Sequence, residues 1–253
     1  MHFKLNRLDT GKIKPHAIHL FQAKRGGGKT TLLRQILYDI RNSIDVTIAF
    51  APCQSSQDMF RSLIPAELVY AEFRVDVIEK VLSLQRELLA QNKQRNICIV
   101  LDDCSYRKDF WRSPAMASLV RNGRHSLVTL LITSQAACDI PPDVRGNVDY
   151  IYALKTGILA DRRRLHNFFF GMLPFDSFVR VFEGATDNFG ALCCNQAEAS
   201  NDAQKVLSWT RAALRLPPFH MCRPCYFKIA EGQREQAARD TGSQLAISVI
   251  THR

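Results

Sequence analysis

Residues 16–31 read HAIHLFQAKRGGGKTT, and this stretch decides the fold. Residues 18–21 form an apolar run long enough for one buried strand, and the polar Gln22-Ala23-Lys24-Arg25 ends it. Gly26, Gly27 and Gly28 follow, then Lys29, Thr30 and Thr31. A helix pattern begins at once, with Leu32, Leu33, Ile36, Leu37 and Ile40 on one face and Arg34, Gln35, Asp39 and Arg41 off it. Strand, glycine loop, Lys-Thr and helix together make a phosphate-binding loop. Glycines let successive N–H groups turn toward a polyphosphate, and the helix N-terminus adds partial positive charge. Lys29 then reaches the terminal phosphates of ATP, and the Thr30 hydroxyl is a ligand for Mg²⁺. The phosphate cradle is expected from Ala23, Lys24, Arg25, Gly26, Gly27, Gly28, Lys29, Thr30 and Thr31. Ala23 stands where the usual pattern has its first glycine.

Outward from this loop, further buried strands are expected at residues 46–50, 97–101, 127–132 and 150–154, each a continuous apolar run. Helical patterns are expected at 77–89, at 109–119 and from Asp161 to about residue 172, with a polar loop at 54–58. Continuous apolar strands separated by helices mean an α/β fold, a mostly parallel sheet covered on both faces. The strand at 97–101 runs directly into Asp102-Asp103. Carboxylates at the carboxyl end of a parallel strand face the crevice where ligands of such sheets sit. One can hold Mg²⁺ and the next can polarise the attacking water; a solvated strand end is the plain alternative. Roughly eighty residues after the glycine loop, the pair makes a nucleoside triphosphatase the default reading. Gln135 follows the next strand, and a neutral amide there can orient water beside a γ-phosphate.

A formal net charge of +10 over 253 residues favours a polyanionic partner, with nucleic acid first and an acidic membrane surface second. The first fourteen residues are polar and basic, unlike a signal peptide, and no apolar run approaches the ~20 residues that span a bilayer. An intracellular protein without membrane insertion is expected. The eight cysteines are scattered, and Cys98, Cys193 and Cys194 lie in apolar runs, which favours reduced thiols over a disulfide framework. Cys222 and Cys225 form a single Cys-x-x-Cys; with Cys193 and Cys194 it could make a zinc site only if folding brought them together.

The segments AKRGGGKTT, ICIVLDD and NGRH, a strand ending in TSQ, and IPPDVRGN ahead of a further strand together resemble the poxvirus-type genome-packaging ATPases of large nucleocytoplasmic DNA viruses, in the HerA/FtsK superfamily. The resemblance covers residues 18–173. It implies a P-loop NTPase of RecA/FtsK-like architecture that hydrolyses ATP and translocates double-stranded DNA without reading its sequence, packaging a viral genome. By this likeness Lys29 and Thr30 serve the triphosphate and Mg²⁺, Asp102 the metal, Asp103 the water, and Gln135 is the sensor. It also implies a homo-oligomeric ring, usually a hexamer, with an arginine completing the neighbouring subunit's site: Arg145 is the first candidate, since it precedes a strand next to the crevice, and Arg124 the second. Capsid proteins are further partners to expect. Residues 1–187 are the expected ATPase core with a short basic arm, and 188–253 a small carboxy-terminal extension of uncertain fold.

Two basic segments lie outside these motifs. Arg107, Lys108, Trp111 and Arg112 combine charge with an aromatic after the aspartates, suited to a nucleic-acid backbone in a ring pore; Trp111 is equally a core anchor. Arg162, Arg163 and Arg164 are read at a helix start, where the macrodipole disfavours cations, so they suggest an external anion or a solvated face. The alternative function is a P-loop nucleoside or small-molecule kinase.

Overall fold

The computed structural model describes residues 5–104 and 108–239; residues 1–4, 105–107 (Arg107 among them) and 240–253, and the side chains of Lys108, Asp109 and residues 237–239, lie outside the description. The described strands are β1 (Asn6–Arg7), β2 (Ile18–Gln22), β3 (Val46–Phe50), β4 (Val69–Tyr70), β5 (Ile97–Leu101), β6 (Val128–Ser134), β7 (Tyr150–Leu154), β8 (Gly190–Asn195) and β9 (Leu207–Arg211). They form one sheet in the order β1-β9-β8-β7-β2-β6-β5-β3-β4. The block from β7 to β4 is parallel throughout, and β8 is antiparallel to both β7 and β9. Every residue of β2, β3, β5, β6 and β7 is buried, because helices cover both faces.

The helices are α1 (Lys29–Ile40), α2 (Gln54–Arg61), α3 (Val75–Ala90), α4 (Lys108–Trp111), α5 (Pro114–Asn122), α6 (Pro142–Arg145), α7 (Leu159–Leu165), α8 (Phe175–Ala185), α9 (Ala203–Val206) and α10 (Pro224–Arg239). Crossovers between parallel strands are right-handed. The chain leaves β2 toward β3 on one side of the sheet order, then steps back through β5 and β6 to β7. α1 therefore lies on one face, and α3 and α5, which pack on each other, lie on the opposite one. Where the stepping direction reverses, next to β2 and β6, a crevice opens at the carboxyl ends of the strands.

Four local readings of the sequence differ from this structure. Residues 54–58 are the first part of α2 rather than a loop; its polar surface is explained below by what its buried side chains hold. The expected helix at 109–119 is two helices, broken where the Ser113 hydroxyl caps α5 by accepting from Met116 N–H and Pro114 takes the first position. The helix expected from Asp161 starts at Leu159 and passes after Leu165 into a π-helical turn, His166–Phe170. The three arginines thus fall in the last turn of α7, not its first. Each contacts its own chain: Arg162 donates to Glu183 and the Thr156 carbonyl, Arg163 stacks on Phe175, and Arg164 pairs with Asp161.

Residues after 187 continue the same sheet as β8 and β9. The chain then crosses the outer side of α1. Ala213 N–H donates to Gln35 at 2.9 Å, and Phe219 meets Tyr38 edge-on with ring centres 5.2 Å apart. It reaches the other half of the sheet where the Thr47 hydroxyl donates to the Met221 carbonyl and Arg223 pairs with Asp45. Among the described residues no helix is long and apolar enough to cross a membrane.

Candidate nucleotide site

β2 delivers the glycine loop to the crevice. Ala23 N–H donates to the Ser134 carbonyl at 3.2 Å, which ties the start of the loop to the end of β6. Gly26 and Gly28 take φ values of 74° and 89°, a region that L side chains rarely occupy. A β-carbon on Gly27 would stand 2.9 Å from that of Ala23, so the loop closes only around glycine. The first bond of the helix runs from Leu32 N–H to Gly28 O at 3.0 Å. The N–H groups of Lys29, Thr30 and Thr31 are thus the first-turn donors that a helix cannot satisfy itself. Three parallel donors on the positive end of a twelve-residue helix form an anion seat.

Lys29 is buried and donates to the Ala23 carbonyl at 2.8 Å, which curls its ammonium back over the loop. The same ammonium lies 3.6 Å from Asp103 Oδ1. This contact is long for an ion pair and bridges β2 to β5 across the intervening β6.

β6 supplies the link between the two carboxylates. Its register sets Leu101 opposite Ile132, so Asp102 comes level with Thr133. The Thr133 hydroxyl donates to Asp102 Oδ1 at 2.8 Å and accepts from Asp103 N–H at 2.8 Å. One hydroxyl therefore locks both aspartates. Asp103 sits at φ 50°, a left-handed conformation that Asp tolerates better than most residues. Its Oδ1 is buried without a hydrogen-bond partner among the described residues. Burial raises the Asp102 carboxyl above the usual carboxylate range, hydrogen bonds from Ser56 and Thr133 work against that shift, the neighbouring Asp103 adds to it, and Lys29 opposes it. Ser56 and Gln57 are the buried polar residues of α2; Gln57 donates to the Ala51 carbonyl at 2.9 Å, which fixes the helix at the end of β3. The helix is polar because its inner face holds a carboxylate and a carbonyl.

Gln135 is exposed and lines a small cleft with Gln22, Lys24, Thr156 and Asp161. Lys24 is 3.8 Å from Asp161. Gln22 was not singled out from the sequence, yet its Oε1 is buried at this cleft with no partner. Thr133 and Ser56 were also missed; a hydroxyl within an apolar strand end, and one in a polar stretch, carry no periodic signal of their own.

The two arginines fall elsewhere. Arg124 donates to Asp149 at 2.7 Å, and Asp149 also accepts from Ile18 N–H, so this pair sits at the amino end of β2, away from the glycine loop of the same chain. Arg145 donates to the Ile140 carbonyl at 2.8 Å, and its guanidinium lies over Phe168, 3.9 Å from the ring centre. Trp111 is buried against Phe110, and Arg112 is exposed.

For a metal, the donors near the loop are hard oxygens: Asp102, Asp103 and the Thr30 hydroxyl. Among the described residues no group of three or more His, Cys, Asp or Glu stands ready as a complete cage. Such a sparse oxygen set fits Mg²⁺, which keeps several waters and takes phosphate oxygens from its substrate. The unpartnered Asp103 oxygen is the observation that agrees with it. Zinc has no comparable seat among the described residues. Cys193 and Cys194 lie in β8, whereas Cys222 is bonded to Thr47 in β3. Five strand steps separate them, about 24 Å.

No protein-family model matches the chain. Among curated proteins it is similar to uncharacterized protein 088R of Invertebrate iridescent virus 3, 24% identical across 83% of this chain and 85% of that protein. Uncharacterized protein L437 of Acanthamoeba polyphaga mimivirus is 25% identical across 83% and 78%. Among solved structures, the genome packaging NTPase B204 of Sulfolobus turreted icosahedral virus 2, in complex with AMPPCP, superposes with a TM-score of 0.57. That match covers 79% of this chain and all of B204 at 17% identity. The cytoplasmic domain of the type VII secretion ATPase EccC of Thermomonospora curvata superposes with a TM-score of 0.51, covering 79% of this chain and 26% of that one at 16% identity. The fold is thus that of these ATPases: a mostly parallel α/β sheet of the P-loop NTPase kind.

Proposed function

We propose that the chain is an ATP-hydrolysing motor that translocates double-stranded DNA and packages a viral genome. The observation that carries the enzymatic half is the crossing at the crevice. Lys29 of the glycine loop lies 3.6 Å from an Asp103 oxygen that has no hydrogen-bond partner among the described residues, while Thr133 bridges Asp103 to Asp102. The fold shared with B204, a genome packaging NTPase, supports the motor half, as does the net charge of +10.

In this reading the loop from Ala23 to Thr31 wraps the phosphates of ATP, with Lys29 moving from the Ala23 carbonyl onto the terminal phosphates. Thr30 and Asp102 would hold Mg²⁺, which would supply charge neutralisation for the phosphates. Asp103 orients and polarises the attacking water, and Thr133 keeps both carboxylates aimed. Gln135, exposed beside the loop, senses the γ-phosphate. An arginine from the neighbouring subunit of a homo-oligomeric ring, of hexameric size, completes the site. Arg124 comes before Arg145 here: it lies at the far end of its own sheet and is half-exposed, whereas Arg145 is held by two carbonyls and Phe168 of its own chain. Capsid protein is the docking partner, and the viral assembly site or the virion the place of action.

ATP turnover measured with and without long double-stranded DNA tests this. Turnover should rise on DNA of any sequence, and the DNA affinity should fall by orders of magnitude between about 50 and 200 mM salt for six or more phosphate contacts. Turnover indifferent to DNA, together with phosphate transfer to a nucleoside, would replace the motor with a kinase.

A further inference from the structure

β8 runs opposite to β7, so its beginning rather than its end lies at the carboxyl edge of the sheet, with Ala191 paired to Leu154. The two residues just ahead of β8, Asn188 and Phe189, both adopt left-handed backbone, with φ of 49° and 60°. Left-handed backbone is uncommon for any side chain and a true outlier for a bulky one. Phe189 gains little burial in return, since the residue is 75% exposed. Its Cδ1 lies 3.8 Å from the point where a β-carbon on Gly28 would stand, across from Leu154 Cδ2 at 3.4 Å. An exposed phenyl is therefore held against the last glycine of the phosphate loop. The turn is pinned by polar contacts rather than by the ring: Arg211 donates to the Asp187 carbonyl at 3.0 Å, and Asn188 Nδ2 donates to Asp187 Oδ2 at 2.9 Å. Backbone strain that survives without packing to reward it concentrates at ligand clamps.

We propose that Phe189 is the stacking platform for the base of the nucleotide whose phosphates occupy the glycine loop. The proposal rests on the nucleotide reading above and adds the specificity of its base end. The side chains of Asp187 and Asn188 are engaged with each other, so recognition at this turn is by the π-face of the ring. Stacking of this kind tolerates different bases and favours the larger ring systems. ATP and GTP should bind within a few-fold of each other, and CTP and UTP more weakly.

The test is equilibrium binding of Mg·ATPγS and of inorganic tripolyphosphate to the full chain and to its Phe189→Ala, Phe189→Gly and Phe189→Tyr variants. Loss of one base–aromatic stack is expected to weaken ATPγS about tenfold in the Ala and Gly variants, with Tyr close to wild type and tripolyphosphate affinity unchanged in all. Phe189→Gly should also melt higher than wild type, because glycine accepts φ 60° without strain. That combination, tighter folding with weaker nucleotide, is not expected of a residue whose role is structural. Unchanged ATPγS affinity in both the Ala and Gly variants overturns the proposal, whether or not the ring size changes. So does a parallel loss of tripolyphosphate, which would make Phe189 a brace for the loop. Wild-type protein that binds neither ligand would instead remove the nucleotide reading itself, and the base platform with it.

Discussion

The two ends of the parallel strands carry similar residues and use them in opposite ways. At the amino end Asp149 takes Ile18 N–H at 2.8 Å and Arg124 at 2.7 Å. Asp45 takes Asn96 N–H at 2.8 Å and pairs with Arg223, while His16 meets Asn96 at 2.8 Å. These charges are spent on stapling strands. At the carboxyl end, Asp103 Oδ1 and Gln22 Oε1 are buried without a hydrogen-bond partner among the described residues, Lys29 rests on main-chain carbonyls 3.6 Å from Asp103, and Asp103 and Phe189 are left-handed, as His16 and Leu127 are at the amino end. A buried polar atom left open costs stability, and at the carboxyl end a ligand can repay it. Asp45 and Asp149 have donors on both oxygens, whereas one oxygen of Asp103 has none among the described residues.

The largest effect that would break this contrast is at Lys29. Lys29→Ala should take Mg·ATP binding below detection while the thermal midpoint moves by no more than a degree or two, because the ammonium's hydrogen bonds go to the Ala23 and Lys24 carbonyls and its contact with Asp103 is long. A large drop in midpoint would make Lys29 another staple. Next is Asp149→Ala, which leaves the Ile18 N–H without its acceptor and frees the exposed Arg124 to solvent; urea unfolding should register a loss of about 1–3 kcal/mol with nucleotide affinity retained. A loss under about 0.5 kcal/mol would erase the amino end's structural role.

Thr133→Val removes the hydroxyl that serves both aspartates. Turnover should fall about ten- to hundredfold with a smaller change in ATP affinity, and Thr133→Ser should recover most of it. Equal activity of Val and wild type would show that the aspartates aim themselves. The smallest effect concerns pH. His19 is fully buried in β2, and burial lowers its pKa from 6.5 to about 3. Above 6.5 the imidazole is neutral in both states and contributes no slope. Between that value and about 3 the unfolded chain takes up a proton the native state refuses, so stability falls with falling pH by at most about 1.4 kcal/mol per unit. His19→Gln should lose that part of the slope in urea titrations between pH 7 and 5; parallel curves would remove His19 as its source.

The sequence displayed the phosphate loop and Asp102-Asp103 because both follow apolar runs with a periodic helix or a strand around them. The sheet was legible for the same reason, since β2, β3, β5, β6 and β7 are continuous apolar segments. α2 was not, because a helix that turns Ser56 and Gln57 inward has no apolar stripe to reveal it. β8 and β9 were obscured by the intervening polar turn, and their return across α1 depends on long-range contacts such as Ala213 with Gln35. Thr133, Gln22 and Phe189 became visible only through register and backbone angle, which single residues do not announce.

The open carboxyl end is tested most directly by Asp103→Asn, which changes one oxygen to an amide and leaves the fold's staples untouched. Binding of a labelled ATP analogue and steady-state turnover should be measured on the same preparation. The expected result is affinity within a few-fold of wild type with turnover reduced by at least two orders of magnitude, because the group lost is the one that polarises water. Wild-type turnover in this variant would contradict the account, since Asp103 would then be no more than an unpaired strand end.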